Sequence, residues 1–95
     1  MKIKIGVTDY DAKMVSSDVM TKMYSDDEDC EVTVGGYMHP MYGVIYLNKE
    51  LPMQQVKQSF FHECVHAMLD EIGEDELSHN EGLVDALGKQ IYGFL

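Results

Sequence analysis

Between Met53 and Ile72 the chain runs twenty residues at helical period, with Pro52 suited to the first turn and Gly73 standing where a C′ residue ends a helix. On a wheel of 100° per residue, Phe61, Cys64, Val65, Met68 and Ile72 form one apolar face, and Val56, Phe60 and Ala67 form a second. Ser59, Glu63 and Asp70 occupy the narrow polar gap between them. A helix that is apolar on two sides has to be covered on two sides. In a chain of 95 residues that leaves room for one small domain built around it.

The rest of the chain supplies the covering layers. Lys2-Ile3-Lys4-Ile5 alternates and predicts a half-buried strand over residues 2–7. Asp9 is placed to cap a helix carrying Met14, Val15, Val19, Met23 and Tyr24. The β-branched and aromatic stretches 30–38 and 41–47, separated by His39-Pro40, predict two strands in a hairpin-like pair, with Gly35-Gly36 marking a bulge or bend. A second helix is predicted from about His79 to Tyr92. The expected order is β-α-β-β-α-α, an α+β domain with a small sheet packed on the Met53–Ile72 helix and a C-terminal helix.

Charge narrows the partners. Seventeen Asp and Glu against seven Lys and Arg give a formal net charge of −10. No basic patch exists to neutralise phosphates, so nucleic acid and anionic membrane are not expected partners. Solubility explains the acidic balance; a basic partner or nucleic-acid mimicry is also compatible with it. Ser25-Asp26-Asp27-Glu28-Asp29 reads as a solvated turn without the spaced oxygen ligands of a calcium loop. The two cysteines, Cys30 and Cys64, make no disulfide framework, and Cys64 reads as a small buried hydrophobe inside the helix. With neither a signal-peptide pattern nor a membrane span, the expected compartment is the reducing cytoplasm.

The chemistry sits in His62-Glu63-Cys64-Val65-His66. Residues i and i+4 of a helix stand one above the other, so His62 and His66 present two imidazoles to one point. Glu63, rotated about 100° from His62, can reach a water at that point without taking a ligand position. Two neutral nitrogen donors with an adjacent general base is the physical content of the HExxH spacing. A catalytic zinc takes three protein ligands, and the next helix offers Glu81 and, one turn on, Asp85. Glu81 is the candidate third ligand, and Asp85 the acceptor for the outward N–H of a ligand histidine. Gly88 on the same stripe would let the two helices approach closely. The rival role for Glu81 is a capping box over Ser78-His79-Asn80-Glu81, in which case His79 is the alternative ligand.

Taken together, His62-Glu63-Cys64-Val65-His66 and Glu81-Gly82-Leu83-Val84-Asp85 resemble the glutamate-zincin pattern, HExxH followed by ExxxD on a downstream helix. They are most similar to small phage-type zinc metallopeptidases, distantly related to the ImmA/IrrE and SprT-like groups. The resemblance covers about residues 43–92, and residues 1–40 carry no recognisable family pattern. It implies a minimal zincin-like domain over 1–95, with Zn²⁺ on His62, His66 and Glu81, Glu63 as catalytic base, Asp85 behind the ligands, and a peptide or protein substrate. It also implies that strand 43–47 forms the rim where an extended peptide pairs. The metzincin pattern is excluded, because Leu69 and Ile72 stand where its glycine and third histidine would be. An oxyanion donor is not singled out among His39, Tyr42, Tyr46, His79 and Tyr92. The alternative function is a zinc-stapled, acidic, phage-like protein that binds a host protein without catalysis.

Overall fold

The computed structural model of the chain describes residues 1–26, 31–32, 36–39 and 43–94. Among the described residues, five strands and four helices order themselves as β1 (Lys2–Ile5), β2 (Thr8–Val15), α1 (Ser17–Asp26), β3 (Glu31–Val32), β4 (Gly36–His39), β5 (Val44–Asn48), α2 (Met53–Glu71), then a one-turn α3 (Asp75–Ser78) and α4 (Glu81–Phe94). The α+β class stands, and the sheet is larger than the expected β-α-β-β arrangement. Its order is β1-β2-β5-β4-β3, with β2 and β5 parallel and the other neighbours antiparallel.

The first correction concerns Thr8–Val15. Asp9 caps no helix there; the segment is β2, hairpinned to β1 through the two-residue loop Gly6-Val7. Tyr10 and Ala12 point into the core while Asp9, Asp11 and Lys13 alternate with them, which is a strand period. Helix α1 starts only at Ser17, where Ser16 Oγ accepts from Val19 N at 3.3 Å as its cap. The buried Asn48 at the end of β5 ties this start to the sheet: its Nδ2 donates to Ser17 Oγ at 2.9 Å, and its Oδ1 accepts from Glu50 N at 3.0 Å.

The second correction concerns strand 43–47. It exists as β5, but β2 and β4 flank it on both sides, so both its edges are already hydrogen-bonded and it cannot be a rim that accepts a peptide. Stretch 30–38 divides into β3 and β4, which pair through Val32 and Tyr37. Residues 27–30, 33–35 and 40–42, including most of the acidic run, Cys30, Gly35, Pro40 and Tyr42, lie outside the described residues.

The core lies between the sheet and α2. Ile5, Tyr10, Ala12, Ile45 and Leu47 from the strands meet Val56, Cys64 and Ala67 from the helix. Burial pushes the Cys64 thiol up to about 12, helped by the adjacent Glu63 charge, so it packs as a neutral hydrophobe. Met68 and Ile72 depart from their predicted apolar face and are exposed. The helix ends as expected: Gly73 takes φ +79°, and Gly73 N and Glu74 N donate back to Asp70 O and Leu69 O, a Schellman closure.

Just before that end, Glu71 holds the β1–β2 turn. Its Oε1 accepts from Val7 N at 3.1 Å and its Oε2 from Thr8 Oγ1 at 2.8 Å. Gly6 sits against it at φ +61°, where a Cβ would lie 2.5 Å from Glu71 Cγ. The Val7 amide and then the Thr8 hydroxyl hold the carboxyl below its ordinary 4.5. A carboxylate with a depressed folded value stabilises above the unfolded value and loses that contribution as pH falls through the folded one. Glu71→Ala should therefore lower the melting temperature at neutral pH, with the gap to wild type closing below about pH 4.5. A gap that stays constant on acidification would show that the carboxylate is not the tether.

Candidate metal centre

Helices α2 and α4 pack closely, and Gly88 makes the approach possible. A Cβ there would lie 3.1 Å from His62 N and 3.2 Å from His62 Cα, so α4 crosses almost on the backbone of α2. Val84, one turn earlier on the same face, is fully buried. Tyr92, one turn later, packs its ring on Phe61 with centroids 5.6 Å apart. This crossing brings the first residue of α4, Glu81, over the two histidines.

His62 Nε2 lies 2.9 Å from Glu81 Oε2, and His66 Nε2 lies 3.3 Å from Glu81 Oε1. Donor atoms of His62, His66 and Glu81 all fall within 4.8 Å of one another, a group that can hold a metal ion. Two ligands on a tetrahedral zinc stand about 3.3 Å apart, given bonds of about 2.0–2.1 Å, so the two His–Glu separations already approach that spacing. Nitrogen, nitrogen and carboxylate oxygen are donors that zinc accepts.

The burial of the group is graded. His66 is 0% exposed, the His62 side chain 12% and the Glu81 side chain 53%. His66 Nε2, although near Glu81, has no hydrogen-bond partner. A cation between these residues would give that nitrogen a direct partner. Burial lowers the His66 pKa, partly opposed by the Glu81 charge, and a neutral imidazole is the form that ligates.

Glu63 is fully buried and sits against β4, where Gly36 leaves it room. A Cβ at position 36 would stand 2.9 Å from Glu63 Cγ and 3.2 Å from Oε1. Asp85 Oδ1 lies 3.6 Å from His62 Nδ1, too long for a hydrogen bond, while Oδ2 pairs with Lys89 Nζ at 3.0 Å. That lysine, more than the histidine, holds the Asp85 carboxyl below its ordinary value.

The rival capping box is not formed. Asn80 caps α4, its Oδ1 accepting from Leu83 N at 3.1 Å. Ser78 instead is buried at the end of α3, with Oγ 3.1 Å from His66 Nδ1. Sequence reasoning missed this contact because the local pattern suited a cap equally well. The alternative ligand His79 is exposed, its Nδ1 bonded to Asp75 O at 2.7 Å, and it is outside the three-residue donor group. Of the oxyanion candidates, Tyr46 alternates with Ile45 and Leu47 and so leaves the sheet on the face away from α2. The side chain of His39 and all of Tyr42 lie outside the described residues.

Because position 88 carries no donor atom, it offers a test of the crossing alone. Gly88→Val should weaken metal binding at least tenfold in chelator competition, with about 1–3 kcal/mol of destabilisation from overpacking. Wild-type affinity in that variant would mean the donor group does not depend on the helix spacing.

Among the described residues no helix is long and apolar enough to cross a membrane. Compared with known proteins, the chain matches no family model, no curated protein and no solved structure.

Proposed function

We propose that the chain is a zinc-dependent peptidase of the glutamate-zincin type, with His62, His66 and Glu81 holding the ion and Glu63 as general base. The observation that carries the proposal is the graded donor group: three ligands from two helices, closed on the His66 side and open to solvent at Glu81. Three protein donors with one open side is the pattern of a catalytic site, whereas a structural zinc is enclosed by four. Zinc bound there supplies Lewis acidity, polarising a carbonyl and acidifying water.

The chain's own residues do the rest. His66, kept neutral by burial, and His62 donate through nitrogen, and Glu81 offers its carboxylate from the exposed side. Glu63, next to His62 in sequence and excluded from bulk water, takes a proton at its carboxylate and returns it to the leaving amine. A peptide or protein is the proposed substrate, entering on the Glu81 side. The test compares new peptide termini in a proteome treated with wild type or Glu63→Gln; wild-type-specific termini that vanish on chelation support the proposal. Identical termini would overturn it.

A further inference from the structure

The proposed chemistry uses His66 through Nε2 and assigns no part to Ser78. Yet Ser78 is 1% exposed, and its hydroxyl meets His66 Nδ1 at 3.1 Å in a buried contact. A buried serine at the end of a one-turn helix usually bonds to backbone. This one reaches the ring of a candidate ligand, across α3 to α2.

An imidazole nitrogen donates to a metal only when it is bare, which puts the ring proton on the other nitrogen. In a dry site that second nitrogen needs an acceptor to hold the tautomer and the ring plane. We propose that Ser78 is a positioning residue of the metal centre: its Oγ accepts the Nδ1–H of His66 and so keeps Nε2 bare toward His62 and Glu81. This rests on the metal-centre half of the proposed function and is independent of hydrolysis.

Two features make a hydroxyl apt for this place. It both donates and accepts. When Nε2 carries the proton toward Glu81 Oε1, 3.3 Å away, the serine can turn and donate to Nδ1 instead. The metal-free and metal-bound rings are then both partnered from the same atom, without adding a second negative charge beside Glu81. Ser78 also lies only three residues before Glu81, across the Asn80 cap. One contact therefore sets the orientation of one ligand and the place from which another starts.

The experiment is a cobalt titration against a competing chelator, on wild type, Ser78→Ala and Ser78→Thr, with ¹⁵N spectra of the histidine rings taken on the diamagnetic zinc-loaded proteins. Ser78→Ala should weaken cobalt binding about 10–100-fold, as loss of a ligand's hydrogen-bond partner does. Ser78→Thr, which keeps the hydroxyl, should recover most of it. The zinc-loaded wild type should show His66 protonated at Nδ1 with that proton in a hydrogen bond, and Ser78→Ala should lose the hydrogen-bond shift while keeping the tautomer, a change that a merely structural serine would not produce. Equal affinity in wild type and Ser78→Ala would overturn the role of Ser78 while leaving the metal centre standing. A wild type that binds no cobalt would overturn both. Should Ser78→Ala not fold, the wild-type spectrum decides: a loaded His66 protonated at Nε2 overturns the assignment.

Discussion

His66→Ala is expected to release the metal and to lower the melting temperature by about 10 °C or more. Removing a ring that is 0% exposed leaves a void under α2 and strands the Ser78 hydroxyl in it. Void and unsatisfied polar group together cost about 2–4 kcal/mol, and a domain of this size loses about 4–8 °C for each kcal/mol. The wild type should in addition be stabilised by its ion, by about 4 kcal/mol where free metal is a thousand times the dissociation constant. Metal analysis should find about one zinc per wild-type chain and none in the variant. The decisive control is chelation: wild type should lose the linkage contribution and His66→Ala should not respond. A wild type whose melting temperature ignores chelation would show that the three donors hold no ion.

Glu63→Gln should leave that ion in place and remove the chemistry. The carboxylate and the amide are nearly the same size, which matters because the side chain packs closely against Gly36. Glu63 is not one of the three grouped donors, so metal content should remain near one per chain. Cleavage should fall by about 10²–10⁴-fold, the usual loss when a general base is removed. The split between the two variants is the informative result: His66→Ala loses metal and activity together, Glu63→Gln only activity. If Glu63→Gln cuts as wild type does, Glu63 is not the general base; if neither cuts while both bind zinc and a common partner, the ion is a staple and the chain is a binding protein.

Helices α2 and α4 were legible because each repeats its apolar period over several turns, and because Gly73 and Gly88 mark a stop and a close approach. The donor trio followed from the same periods: an i, i+4 pair on one helix and an acidic first turn on the next. Segment Thr8–Val15 was not legible as a strand because Asp9 and Asp11 disfavour strands by propensity. The alternation of Tyr10 and Ala12 overrode that once β5 could pair beside them. The rim assigned to 43–47 failed for a different reason. A strand's composition reports how deeply it is buried and is silent on which neighbours take its two edges. Ser78 illustrates the limit of local motifs, since two capping residues competed for one helix start and Asn80 took it, freeing the serine for His66.

The sheet and the helical site also differ in how far the chain must travel to close them. His62 and Glu81 are 19 residues apart, joined by one short helix and two tight turns. The parallel β2–β5 pair matches Asp11 with Val44, and everything from α1 to β4 must be gathered before it can form. Contacts distant in sequence form slowly and local ones quickly, so closing the central sheet is expected to limit the folding rate. A cation bound by the helical half acts on the fast side of that division. Because a contact already made in the transition state raises the folding rate and leaves unfolding little changed, loading the site should speed folding.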